Sequence, residues 1–211
     1  MLGKGRKFKN IVKEHIKNNA KEYIIVTVIF IIGIFLGVLF INNMEETNKQ
    51  EISTYLTSFI EKMKQIESLD YMQLLKTSII QNVITAVLIW FFGTTVIGIP
   101  VVFGLVLYRG FCLGYTISSS IITLGTAKGI SFIFSTIFLQ NIFFIPAILA
   151  IAVSGFKLYK SIVKEKTKEN VKLEIIRHTV FSFIMMLLMI FASSIEIFIS
   201  TNILKNFAKY F

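Results

Sequence analysis

Forty-five consecutive residues, Ile79 to Thr123, carry a single charge, Arg109. That run is about twice the length a helix needs to cross a hydrocarbon core of ~30 Å. It therefore reads as two spans, 79–97 and 101–123. The break falls in Gly93–Pro100, where Gly98 and Pro100 both disfavour a continuous helix. Three more apolar runs occupy 23–41, 130–156 and 179–200. Hydrophobic residues make up 55% of the chain and charged residues 16%, against about 25% charged in an ordinary soluble domain. A chain with that balance cannot cover itself with polar groups. Secreted soluble enzymes, disordered tails and soluble nucleic-acid modules are excluded.

The apolar runs are continuous rather than alternating, so they do not read as barrel strands. Backbone groups in lipid must be satisfied within the segment, which demands helices. The run 23–41 has no charge and a length of about 28 Å as a helix. Phe40, Ile41, Asn42, Asn43 and Met44 end it, without the small-x-small pattern of a cleavage site. It is expected to be an uncleaved span. The fold class is then all-α: an integral membrane bundle of five transmembrane helices plus one amphipathic helix outside the cytoplasm.

Lysine and arginine orient such a bundle, because they are retained on the cytoplasmic side. Residues 1–22 carry Lys4, Arg6, Lys7, Lys9, Lys13, Lys17 and Lys21. Residues 157–178 carry Lys157, Lys160, Lys164, Lys166, Lys168, Lys172 and Arg177. Segment 42–78 has four lysines against six acids, the turn 124–129 has only Lys128, and the tail 201–211 has Lys205 and Lys209. Five crossings place both basic clusters on one side and the other three segments on the opposite side, in agreement with the bias. The basic side is explained by insertion and by anionic headgroups, and no motif points to nucleic acid.

Segment 42–78 is the one extended polar stretch outside the membrane. Its apolar residues Ile52, Leu56, Phe59, Met63 and Ile66 fall at steps of four and three, one helical stripe. Such a stripe either lies on the bilayer and bundle or receives a partner. Within the spans, Arg109 and Glu196 are the ionisable residues in apolar surroundings. Each is expensive there. They can pair with each other, or Arg109 can snorkel while Glu196 lies near the headgroups. Gly33 with Gly37, and Gly110 with Gly114, form two GxxxG motifs, suited to close helix contact within the bundle or across a homodimer.

No catalytic set is visible. His15 and His178 lie on the cytoplasmic flanks and are expected to be solvated. Two histidines without a carboxylate pair or cysteine are poor metal ligands. Ser118, Ser119 and Ser120 have no histidine within the membrane to serve as base. Cys112 is the lone cysteine. No HExxH, GxSxG or P-loop lysine occurs. No enzyme activity, metal or cofactor is expected.

The order of features resembles one family. A basic N-terminus leads into IIGIFLGVLFINN, followed by the acidic amphipathic segment. Then come FFGTTVIGIPVVFGLVLYRGFCLGY, QNIFFIPAILAIAVSGFKLYKS and a last span ending IEIFISTNIL. This is similar to the stage II sporulation protein M family of endospore-forming bacteria, in order and length along the whole chain. The most specific parts are Gly110–Tyr115, Asn141 with Pro146-Ala147, and Glu196 followed by Ile199-Ser200. The resemblance implies a polytopic scaffold of the mother-cell membrane that holds two cell-wall hydrolases, stage II sporulation proteins D and P, at the septum during engulfment. It implies no hydrolysis by the scaffold itself. An alternative from another class is a permease or transporter subunit using Arg109 and Glu196 at the broken-helix site.

Overall fold

In a computed structural model of the chain, which describes residues 17, 19–65, 70–134, 139–164, 168–200 and 203, the apolar runs are helices. In chain order they are α1 Ala20–Asn42, α2 Glu46–Gln65, α3 Tyr71–Gly93, α4 Ile99–Leu124, α5 Thr126–Ile133, α6 Leu139–Lys164 and α7 Lys168–Ile195. The last runs on as a π-helical turn, Glu196–Ser200. No strand occurs among the described residues. Helices α1, α3 and α4, with Asn141–Val163 and Val171–Ile199, are long and apolar enough to cross a bilayer. The protein is an all-α, multi-pass membrane bundle.

Helix α6 is the axis of the bundle. Ala147, Ile148, Ile151, Ala152 and Val153 are buried along it, and Val26, Ile89, Val106 and Met189 from the surrounding spans close on them. The outer faces, including Ile24 and Phe35 of α1, Ile84 and Phe91 of α3, and Phe183 and Leu187 of α7, remain exposed. They are lipid-facing. Lipid tails are as apolar as leucine, so burial of such side chains does not itself drive spans together. Close backbone packing and interhelical hydrogen bonds do.

The tightest pairing is α1 on α4. A Cβ on Gly33 would overlap the Leu107 carbonyl, and one on Gly37 the Phe111 carbonyl. From the other side, a Cβ on Gly110 or Gly114 would overlap the carbonyl of Phe30 or Ile34. Residue numbers rise together along this seam, so the two helices run parallel. Phe40 caps it, meeting the Phe111 ring edge-on at 5.6 Å. All four glycines of the two motifs are thus used within one chain, and the homodimer alternative loses the surface that motivated it.

Parallel α1 and α4 require an odd number of returning spans between them, and α3 is that span. The expected break is a tight turn, Thr94–Gly98, between two helix ends. The Thr94 amide donates to the Trp90 carbonyl at 3.1 Å. A Cβ on Gly98 would overlap the Phe92 carbonyl. Pro100 sits in the first turn of α4, where no backbone donor is needed. The turn stands at the end of the bundle that carries the basic residues: Gly93 packs against Gly155 and His178. There Lys160 binds Glu22 at 2.7 Å, and Glu174 binds Arg177 at 2.6 Å and Lys157 at 3.7 Å. These ion pairs gather the start of α1, the end of α6 and the start of α7 at one end. Lys4, Arg6, Lys7, Lys9, Lys13, His15, Lys166, Lys205 and Lys209 lie outside the described residues.

Several boundaries differ from the hydropathy reading. The second span begins at Tyr71 rather than 79, because the Asp70 carboxylate caps it by accepting the Gln73 amide at 3.0 Å. It ends at Gly93, ahead of the turn. Segment 42–78 is accordingly not one external helix: α2 ends at Gln65. The fourth span is shifted from 130–156, since 126–133 form the separate helix α5. That helix folds back on the end of α4, where a Cβ on Gly129 would lie 2.8 Å from the Ile121 Cα. Residues 157–178 are not a loop. Helix α6 runs to Lys164 and α7 starts at Lys168. Hydropathy registers where charge begins, but helical hydrogen bonding continues past it, with Leu158 still buried between Lys157 and Lys160.

Candidate functional site

Helix α3 carries a polar stripe through the membrane. Gln73, Thr77, Gln81 and Thr85 are four apart, with Ser78 and Asn82 beside them, so all six share one face. Gln73, Thr77 and Gln81 are exposed, Ser78 is half-buried, and Asn82 and Thr85 are buried. Asn82 is buried and donates to the Ser193 hydroxyl of α7 at 2.7 Å, and Ser193 in turn donates to the Met189 carbonyl at 3.2 Å. Five of the six, all but Thr85, line an open cleft of about 630 Å³ between α3, α4, α6 and the π-helical turn. From Gln73 to Asn82 it extends about 14 Å along the helix. It therefore opens at the end opposite the basic one and reaches mid-depth. Below it the bundle is closed by Ile89, Val102, Val106 and Ile151, all fully buried.

Arg109 and Glu196 both line this cleft. Arg109 of α4 donates to the Thr85 hydroxyl and lies over the Phe144 ring of α6, 5.1 Å from its centroid. Glu196 accepts a hydrogen bond from Ser78 at 2.5 Å. Their partners on α3 are seven residues apart, about 10 Å along the axis. Among the described residues no carboxylate lies within 4.0 Å of the Arg109 guanidinium. The two do not form an ion pair with each other. One polar wall holds each of them with a hydroxyl. The stripe was legible at four-residue spacing, but continuous hydropathy over 79–97 hides it, because Ser, Thr, Asn and Gln lower hydropathy without interrupting a span.

The external stripe is divided. Ile52 and Leu56 are half-buried and Ile60 is buried where α2 packs on α4, with the Ser53 and Thr123 hydroxyls 3.1 Å apart. Tyr55 is 77% and Phe59 39% exposed. The Met63 side chain and Ile66 lie outside the described residues. Part of the expected partner-binding face is therefore covered by the protein's own bundle, while two aromatic side chains stay free on the same helix.

His178 is not solvated. It is buried at the basic end, with Nδ1 2.9 Å from the Ser154 hydroxyl and Nε2 3.3 Å from the Trp90 carbonyl. A carbonyl only accepts, so Nε2 carries the proton. The reason is the early start of α7, which carries residue 178 well inside the helix, and the two glycines that make room for the ring. A Cβ on Gly93 would come within 3.0 Å of Nε2, and one on Gly155 within 2.9 Å of the Gly93 Cα. Ser119 and Ser120 donate to the Thr116 carbonyl at 3.1 and 2.7 Å, near the opposite end of the bundle. Among the described residues, no three His, Cys, Asp or Glu side chains are grouped to hold a metal ion.

The family model described as Stage II sporulation protein M matches residues 26–201, which include α2 and the cleft. An uncharacterized protein of Methanocaldococcus jannaschii is 28% identical over 188 residues, 85% of this chain and 94% of its own. No solved structure matches.

Proposed function

The chain belongs to the stage II sporulation protein M family, and from that premise we propose that it is a membrane scaffold that recruits and localises peptidoglycan hydrolases during forespore engulfment. The partners are stage II sporulation proteins D and P, and the membrane is that of the mother cell. The scaffold performs no hydrolysis. The basic end faces the cytoplasm, as the retention of lysine and arginine requires, and α2 stands outside.

The observation that carries the reading is the posture of α2. It is pinned to the end of α4 through Ile60 and the Ser53–Thr123 contact, with Tyr55 and Phe59 exposed. Exposed aromatic residues on a rigid support are the common anchors of protein interfaces. The test is co-purification from sporulating cells. Both hydrolases should accompany the wild-type protein, and Tyr55→Lys with Phe59→Lys should release them at unchanged membrane abundance. Recovery of both hydrolases at wild-type yield with that variant contradicts the proposal.

The cleft favours a second reading, a permease or transporter subunit. Arg109 and Glu196 would line a route for a polar solute, and the layer of Ile89, Val102 and Val106 would then have to open. A normal phenotype for Arg109→Leu counts against this reading and leaves the scaffold untouched.

A further inference from the structure

A second cavity, of about 380 Å³, meets the Arg109 guanidinium from the side. It lies between α3 and α4 and shares Gln81, Arg109 and Cys112 with the polar cleft. Its other walls are Thr85, beside the guanidinium, and the largely apolar Ile84, Leu88, Leu105 and Tyr108. Ile84, Leu88 and Tyr108 are exposed on the outer surface of the bundle, so this groove opens to the acyl chains of the bilayer.

We infer that Arg109 is the headgroup site of a phosphate-bearing lipid, with the phosphate in the polar cleft and a hydrocarbon chain leaving through the groove between α3 and α4. Three observations carry this. The guanidinium is half-buried half-way along its span, and no carboxylate among the described residues neutralises it. Thr85 and the Phe144 ring hold it in place while engaging a minority of its five N–H donors, so its fork remains suited to two phosphate oxygens. The two spaces that meet at it differ in polarity, one lined mostly by hydrogen-bonding side chains and one that becomes apolar away from Arg109 and Thr85 and is open to lipid. A free anion would use the cleft alone. An amphiphile uses both.

Glu196 limits the kind of headgroup. It lies two turns nearer the mouth, held by Ser78. There it disfavours a second anionic group and accepts hydrogen bonds from a hydroxyl or ammonium. The site therefore takes a headgroup with one phosphate. This inference goes beyond the scaffold reading and stands whether or not α2 recruits hydrolases.

Trp90 is the single tryptophan, on α3 and five residues beyond Thr85, which allows a direct test. The purified full-length protein is placed in phosphatidylcholine vesicles containing phosphatidic acid with brominated chains, or diacylglycerol with the same chains and no phosphate. Quenching of Trp90 fluorescence should saturate at about tenfold lower mole fraction for phosphatidic acid. Arg109→Gln should abolish the preference and Arg109→Lys should retain part of it. Millimolar inorganic phosphate should leave the quenching in place. Equal quenching of the wild-type protein by the two lipids overturns the proposal, whatever the variants do. Full displacement by inorganic phosphate also overturns it, and assigns the cleft to a free anion.

Discussion

A Cβ built on Gly110 of α4 stands 3.2 Å from the Cα of Gly33 on α1 and overlaps the Phe30 carbonyl. Two backbones meet there with no side chain between them, which is how small residues join spans when burial alone offers no gain. Gly33→Val and Gly110→Val should each lower stability by about 1–3 kcal/mol through overpacking. Gly104→Ala is the internal control, because nothing lies within 4 Å of a Cβ there. Thermal unfolding in detergent should show melting several degrees lower for the first two and unchanged for the third.

Asn82 and Ser193 form the buried hydrogen bond between α3 and α7, 2.7 Å long. Asn82→Leu and Ser193→Ala should each cost about 0.6–2 kcal/mol, the range for hydrogen bonds between membrane helices. Because the two side chains share one interaction, the double variant should melt close to the worse single variant. Additive losses would show that each acts elsewhere.

The His178 ring ties α7 to α6 through Ser154 and to α3 through the Trp90 carbonyl. His178→Ala leaves the Ser154 hydroxyl and that carbonyl without the ring, a loss of about 1–3 kcal/mol. Gly155→Val should be at least as damaging, since a Cβ there already comes within 2.9 Å of the Gly93 Cα. Both should appear as a lower melting point and as easier proteolysis near the α3–α4 turn.

Sidedness can be read with single cysteines in a Cys112→Ala background. Tyr55, 77% exposed, and Val163, 61% exposed, stand at opposite ends of the bundle. A membrane-impermeant maleimide should label Tyr55→Cys on intact cells and Val163→Cys only after permeabilisation. The reverse pattern would invert the orientation and remove α2 from the hydrolases' compartment.

The sequence was most informative where physics forces a single answer. Continuous apolar runs allow only helices in lipid. Gly98 and Pro100 mark a turn for stereochemical reasons that hold in any surroundings. The interior of the bundle was less legible, because the same residue serves different ends according to its neighbours. His178 reads as a flank residue until α7 is seen to begin at Lys168. Ile52 and Leu56 read as a binding face until α2 is seen packed on α4. The polar stripe of α3 is a helical periodicity overlaid on an uncharged span, and its meaning depends on Arg109 and Glu196 arriving from two other helices. Which charges share a cleft is a matter of packing between distant segments, and no local pattern records it.

The most direct measurement is site-specific photo-crosslinking from α2 in intact sporulating cells. A photoreactive residue placed at Tyr55 or Phe59 should capture a peptidoglycan hydrolase, and the same residue at Val163 should not. Hydrolase adducts from Val163 with none from Tyr55 or Phe59 would contradict the account.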